Sequence, residues 1–85
     1  MTTSDHRRTW LISSAADFGR TIADLRSLRG LTQAELAEQN GLTRNYVARL
    51  EAGLSVVMVD RVLRLLRRLG AEVTVALPQQ DDPRA

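Results

Sequence analysis

The chain has 85 residues, a net charge of +2 and no cysteine. That length suits one small domain with a thin core, and the missing cysteines exclude disulfides, thiolate metal sites and a cysteine nucleophile. All twelve basic residues are arginine; eleven lie between Arg7 and Gly70 against six acids, Asp17, Asp24, Glu35, Glu38, Glu51 and Asp60, so this stretch carries 11 − 6 = +5. A basic centre made of planar, two-pronged donors suits a polyanionic partner. Uniform use of arginine in place of lysine would produce the same composition.

Residues 1–13 read as an N-terminal arm: "MTTSDHRR" is polar and expected to be loose, and "TWLIS" (9–13) is a short β-prone run. His6 has no cysteine or second histidine to share a metal with, so no metal site is predicted. No early apolar run has the length of a signal sequence and no stretch approaches the roughly 20 apolar residues of a membrane span. The expected location is the cytoplasm, without membrane contact.

The domain proper is expected over residues 14–70. Ser14-Ala15-Ala16-Asp17 has the spacing of a capping box, with aspartate in the last place. Phe18, Ile22, Leu25 and Leu28 follow at helical spacing, and Gly30 ends the helix. Thr32-Gln33-Ala34-Glu35 is a full capping box; Leu36 and Ala37 point inward, and Asn40-Gly41 stops a short second helix. Leu42 enters the turn, Thr43 caps a third helix with Val47 and Leu50 inward, and Gly53 closes it. A fourth helix is predicted from about Val56 to Leu69, with Val59, Val62, Leu63, Leu66 and Leu69 as one inward stripe and Arg61, Arg64, Arg67 and Arg68 on the remaining surface.

Over residues 71–77 the period changes to two: Val73, Val75 and Leu77 alternate with Thr74 and Ala76, which is strand spacing. Pro78 stops the strand, and residues 78–85 read as a disordered tail. The fold class expected is mainly α, a bundle of four to five helices with one C-terminal strand. A lone strand cannot satisfy its own backbone groups. It can pair with its copy in a second chain or with "TWLIS" of its own. The first arrangement is preferred, which makes Val73, Val75 and Leu77 a dimer strand.

Residues 32–53 hold two helices of about eight residues joined by a glycine-containing turn, the design of a helix-turn-helix. Arg44, Asn45, Tyr46 and Arg49 share the face opposite Val47 and Leu50. Arg44 and Arg49 can each give two hydrogen bonds to guanine, and Asn45 can pair with adenine. Thr32, Gln33 and Thr43 stand at helix N-termini, where hydroxyl, amide and backbone donors meet phosphate. A solvated polar face on any bundle helix would use the same residue types.

"LTQAELAEQNGLTRNYVARLEAG" (31–53) resembles the phage-repressor/Cro-like (XRE) helix-turn-helix family through Leu31, Thr32, Gln33, Leu36, Ala37, Gly41, Leu42, Thr43, Val47, Ala48, Leu50, Glu51 and Gly53. The resemblance implies a Cro/repressor-like bundle that binds an operator in double-stranded DNA, palindromic and read by a homodimer. It implies that Arg44, Asn45 and Arg49 read bases. Thr32, Gln33, Thr43 and Tyr46 would then touch the backbone or groove edge. It also implies an internal ion pair between Arg26 and Glu51, with a phosphate contact as the other use of Arg26.

The ending "LRRLGAEVTVAL" is similar to the HipB-type antitoxins, which repress their own operon as dimers and bind a HipA-like kinase toxin. Stand-alone regulators share that order of elements. A protein-interaction module without DNA binding is the competing class. No catalytic set and no cofactor site is present in the pattern, so an enzyme is not expected.

Overall fold

A computed structural model describes residues 8–54 and 57–78. Four helices stand between two strands in the order β1 (Arg8–Ile12), α1 (Ala15–Leu28), α2 (Gln33–Gln39), α3 (Arg44–Glu51), α4 (Val57–Arg68) and β2 (Val73–Leu77).

Short polar side chains decide where three of the helices begin. Ser14 Oγ accepts from the Asp17 N–H at 3.2 Å. The Asp17 carboxylate reaches one residue further back than in a reciprocal box and accepts from the Ser13 N–H at 2.7 Å. That bond, with Arg20 beside it, holds the Asp17 carboxyl below the usual carboxylate range. The box at α2 is complete: Thr32 Oγ1 accepts from the Glu35 N–H at 3.0 Å and Glu35 Oε1 from the Thr32 N–H at 2.8 Å. Thr43 Oγ1 accepts from the Tyr46 N–H at 3.0 Å and starts α3.

The helices end alike. At α2 the Leu42 N–H donates to the Ala37 carbonyl at 2.9 Å and the Gly41 N–H to the Glu38 carbonyl at 3.3 Å. This is the Schellman arrangement, and it needs the first of the two donor residues along the chain to be left-handed. Gly41 is that residue, with φ +67°. The same pair of bonds closes α1, α3 and α4.

The core is small. Ile12, Ala15, Ala37, Val47 and Leu63 are buried, and the buried Thr21 hydroxyl donates to the Asp17 carbonyl at 2.8 Å. Close backbone approach compensates for small side chains. A Cβ at Gly19 would lie 2.4 Å from the Leu50 carbonyl oxygen and 2.5 Å from that of Glu51, so α1 meets the end of α3 backbone to backbone. Leu42 is 41% exposed, so the buried residues that α2 and α3 contribute are Ala37 and Val47.

Two expectations are corrected here. First, β2 pairs with β1 of its own chain, antiparallel, with Trp10 opposite Val75 and Ile12 opposite Val73. The dimer-strand role expected for Val73, Val75 and Leu77 gives way to an intrachain, two-stranded antiparallel sheet. The physical reason lies in the helices: α1 and α4 are in contact, so the segment entering α1 and the segment leaving α4 run side by side. The nearest unpaired backbone is then the chain's own. Trp10 Nε1 donates to Asp24 at 3.0 Å, and the Arg67 guanidinium donates to the Ser13 carbonyl, which tie this sheet to α1 and α4. The strand starts at Val73, two residues after the predicted change of period. Residues 1–7 and 79–85, where the loose arm and most of the disordered tail were expected, lie outside the described residues, as does Val56.

Second, the predicted inward stripe of α4 is divided. Leu63 is buried and Val59 and Leu66 half-buried, but Val62 and Leu69 are 48% and 82% exposed. Leu28 of α1, at 48%, also lies largely outside the core.

Candidate nucleic-acid interface

The motif's second helix is short, eight residues or roughly 12 Å, and begins at a threonine cap that leaves its first turn at the surface. Val47 is its buried anchor at 2% exposure; Ala48 and Leu50 are half-buried beside it. Helical spacing then turns Arg44, Asn45, Tyr46 and Arg49 outward, and all four are exposed, Tyr46 at 51%. The exposed surface of α3 thus carries two guanidinium groups, one carboxamide and one phenol. These are the donors and acceptors that match base edges and phosphates. Thr32 and Thr43 are exposed at the starts of α2 and α3.

The aim of α3 is set from behind by a charged cluster. Arg26, at the end of α1, donates through Nε to Glu51 Oε2 at 2.6 Å and through Nη2 to Glu51 Oε1 at 3.1 Å. Its remaining nitrogen, Nη1, donates to the Leu31 carbonyl at 2.8 Å. Gln33 Nε2, from the first turn of α2, donates to Glu51 Oε1 at 2.8 Å. The side chains of Arg26 and Glu51 are only 18% and 8% exposed. One carboxylate at the end of α3 therefore gathers α1, the α1–α2 link and the start of α2. The Arg26 bonds hold the Glu51 carboxyl below the usual carboxylate range against the opposing effect of burial, with Gln33 adding to them. The same pairing raises the Arg26 guanidinium. A fork that grips a carboxylate with two nitrogens and a carbonyl with the third has little left for a phosphate.

The structure separates the residues singled out from the sequence into two groups. Arg44, Asn45, Tyr46, Arg49, Thr32 and Thr43 are exposed around the motif. Gln33, expected at a groove edge, is half-buried and donates into the Arg26–Glu51 cluster. Val73, Val75 and Leu77 are half-buried in the intrachain sheet. Sequence reasoning missed two supports. Gly19 permits the α1–α3 approach, and its signal was a glycine in mid-helix, which costs about 0.5–1 kcal/mol against alanine and so asks for a reason. Asp60 Oδ1 accepts from the Ala15 N–H at 2.7 Å and so caps α1 from α4; nothing local in the sequence signals it.

Among the described residues no helix is long and apolar enough to cross a membrane. No curated protein and no solved structure matches the chain. A family model described as a helix-turn-helix domain matches residues 17–77, which is 61 of the 85 residues and spans α1 to β2. Its members are typically DNA-binding proteins of transcriptional regulation rather than enzymes. With two capped helices, a left-handed glycine between them and a basic, exposed face on the second, the chain belongs to the helix-turn-helix domain family.

Proposed function

We propose that the protein is a sequence-specific transcriptional repressor that reads a palindromic operator in double-stranded DNA as a homodimer. One observation carries the reading: Arg44, Asn45, Tyr46 and Arg49 are all exposed on a short helix that is anchored by the buried Val47, with Asn45, Tyr46 and Arg49 on the side away from that anchor and Arg44 in the first turn. In this reading Arg44, Asn45 and Arg49 enter the major groove and reach base edges. Tyr46, Thr32, Thr43 and the outer edge of Gln33 meet the backbone or groove edge. A helix of roughly 12 Å spans one groove about 12 Å wide, so one copy reads one half-site and a palindrome calls for two.

Selection of bound duplexes from a random pool, followed by titration of the enriched duplex, tests this. Arg44→Ala and Asn45→Ala should each weaken discrimination at one base position by about 1–3 kcal/mol. Unchanged affinity and unchanged base preference in both variants would leave α3 a solvated bundle helix and favour a protein-interaction module.

Within this reading the finer role is the antitoxin of a HipAB-type toxin–antitoxin module, autoregulating its operon and binding a HipA-like kinase toxin. Its support is the order of elements after the motif, a helix followed by a strand. A stand-alone regulator carries the same DNA-reading residues. An adjacent kinase-like reading frame whose product co-purifies with the chain separates the two; an unrelated neighbour and no co-purifying kinase would leave the stand-alone regulator.

A further inference from the structure

The turn after α3 leaves an apolar side chain beside the proposed base readers. Gly53, in the left-handed region at φ +76°, reverses the backbone. The Leu54 N–H then donates to the Arg49 carbonyl at 2.9 Å and closes the helix. A residue in this place commonly packs back on the helix it ends. Leu31 and Leu42 occupy the same place after Gly30 and Gly41; Leu31 is half-buried, whereas Leu42 and Leu54 are 41% and 49% exposed. Capping explains where the Leu54 backbone runs and leaves its exposed side chain without a role.

Tyr46, Arg49, Leu50 and Leu54 together line a cleft of about 40 Å³. Tyr46 and Arg49 are exposed and three residues apart, so they are neighbours on the helix surface. The cleft therefore opens on the surface that carries the base readers. Two leucines, a phenol ring and an arginine form its walls, and most of its lining is carbon. Its volume suits one compact group: a water takes about 30 Å³ of the liquid, whereas a benzene ring needs a cavity of about 150 Å³.

The major groove offers such a group. The C5 methyl of thymine projects into it and is met there by apolar side chains. 5-Methylcytosine carries the same methyl on the same ring carbon; cytosine and uracil carry hydrogen.

We propose that the Leu54 cleft is a subsite for the 5-methyl group of a pyrimidine in the operator. This rests on the proposed DNA-reading function and adds to it a base position read by shape. Arg49 sets the register: the guanidinium that reaches guanine O6 and N7 is also one wall of the cleft, so the methylated pyrimidine is a close neighbour of that guanine. Deoxyribose is the competing occupant. It presents a broad ring edge, and a methyl-sized cleft beside a base reader suits a single protruding carbon better. A cleft that reads only the methyl treats thymine and 5-methylcytosine alike. Methylation of a cytosine placed there therefore strengthens binding, and the protein responds to cytosine methylation of its operator.

The test uses the full chain and the selected duplex. Each thymine is replaced in turn by deoxyuridine and each cytosine by 5-methylcytosine; both changes touch one methyl and leave base pairing intact. Burial of one such carbon corresponds to about a fourfold change in affinity. At one position of each half-site the thymine duplex should bind about fourfold tighter than its deoxyuridine twin. With a cytosine–guanine pair built at that position, the methylated duplex should bind about fourfold tighter than the unmethylated one. Leu54→Ala should keep the native circular dichroism, bind the deoxyuridine duplex as the unaltered chain does and lose the methyl preference. Leu54→Met, which refills the cleft, should retain it. The subsite alone is overturned if no position responds to the methyl, if a thymine preference comes without the matching 5-methylcytosine preference, or if the response survives Leu54→Ala. It is overturned equally if Leu54→Ala weakens all duplexes alike, the mark of a sugar contact. If no duplex is enriched at all, the operator reading falls and the subsite falls with it.

Discussion

Replacing Gly19 by alanine sets two effects of opposite sign against each other. Intrinsic helix preference favours alanine by about 0.5–1 kcal/mol. The added Cβ, however, would stand 2.4 Å from the Leu50 carbonyl oxygen and 2.5 Å from that of Glu51, where ordinary contact starts at 3.4 Å. Both obstacles are backbone atoms, which cannot rotate aside, so α1 and α3 must part by about 1 Å. Overpacking of this kind costs about 1–3 kcal/mol. The same displacement also stretches the Arg26–Glu51 bonds of 2.6 and 3.1 Å, each worth about 1.5–3 kcal/mol when fully formed. The net expectation is a loss of about 2–4 kcal/mol from a domain whose size implies a total of about 4–13 kcal/mol. Urea unfolding followed through Trp10, the single tryptophan, would then show a midpoint lower by roughly 1–3 M with an unchanged slope. A Gly19→Ala protein as stable as the parent would refute the backbone contact between α1 and α3, and with it the claim that Glu51 aims α3.

Other perturbations act on single supports. The folded Glu51 carboxyl lies below its ordinary value of 4.5, so its contribution is fully present above that value and is lost as pH falls through the lower folded one. Stability of the parent should therefore drop on acidification below about pH 4.5, and Glu51→Gln should start less stable at neutral pH and show a shallower acid limb; identical pH profiles would remove the pair from the energetics. Asp60→Ala deletes the acceptor for the Ala15 N–H and should lower stability by about 0.5–2 kcal/mol, with no change expected if that N–H is equally satisfied by water. Gly53→Ala meets both a φ of +76° and the Ala16 Cα at 2.9 Å. It should destabilise by about 1–3 kcal/mol in thermal unfolding, more than Gly41→Ala, which has open space around it; the reverse order would contradict the described approach of α1 to the end of α3.

What could be read in the sequence was local. Ser14, Thr32 and Thr43 announce their helices because a cap needs only a neighbour three residues away. Gly30, Gly41, Gly53 and Gly70 announce the ends because a left-handed residue is required there whatever lies nearby. The partner of β2 was not local: it depends on where the start of α1 and the end of α4 come together, and no spacing in "AEVTVAL" encodes that. The α4 stripe shows the same limit in another form. Val59, Val62, Leu63, Leu66 and Leu69 all fit helical spacing, and periodicity does not say that the domain covers Val59, Leu63 and Leu66 but leaves Val62 and Leu69 exposed. Gln33 sits where a groove contact and a strut for Glu51 both make chemical sense, and only the folded position of Glu51 puts its amide into the cluster.

The most direct measurement of the central claim is binding of the selected duplex as a function of salt, by the parent and by an Arg44→Glu/Arg49→Glu double variant. If the exposed side of α3 enters the major groove, the parent should lose affinity steeply, with log affinity against log salt falling at roughly −0.9 per neutralised phosphate. The double variant should lose both the protected footprint and the salt dependence while keeping the parent's circular dichroism. A folded double variant that still protects the same base pairs would contradict it.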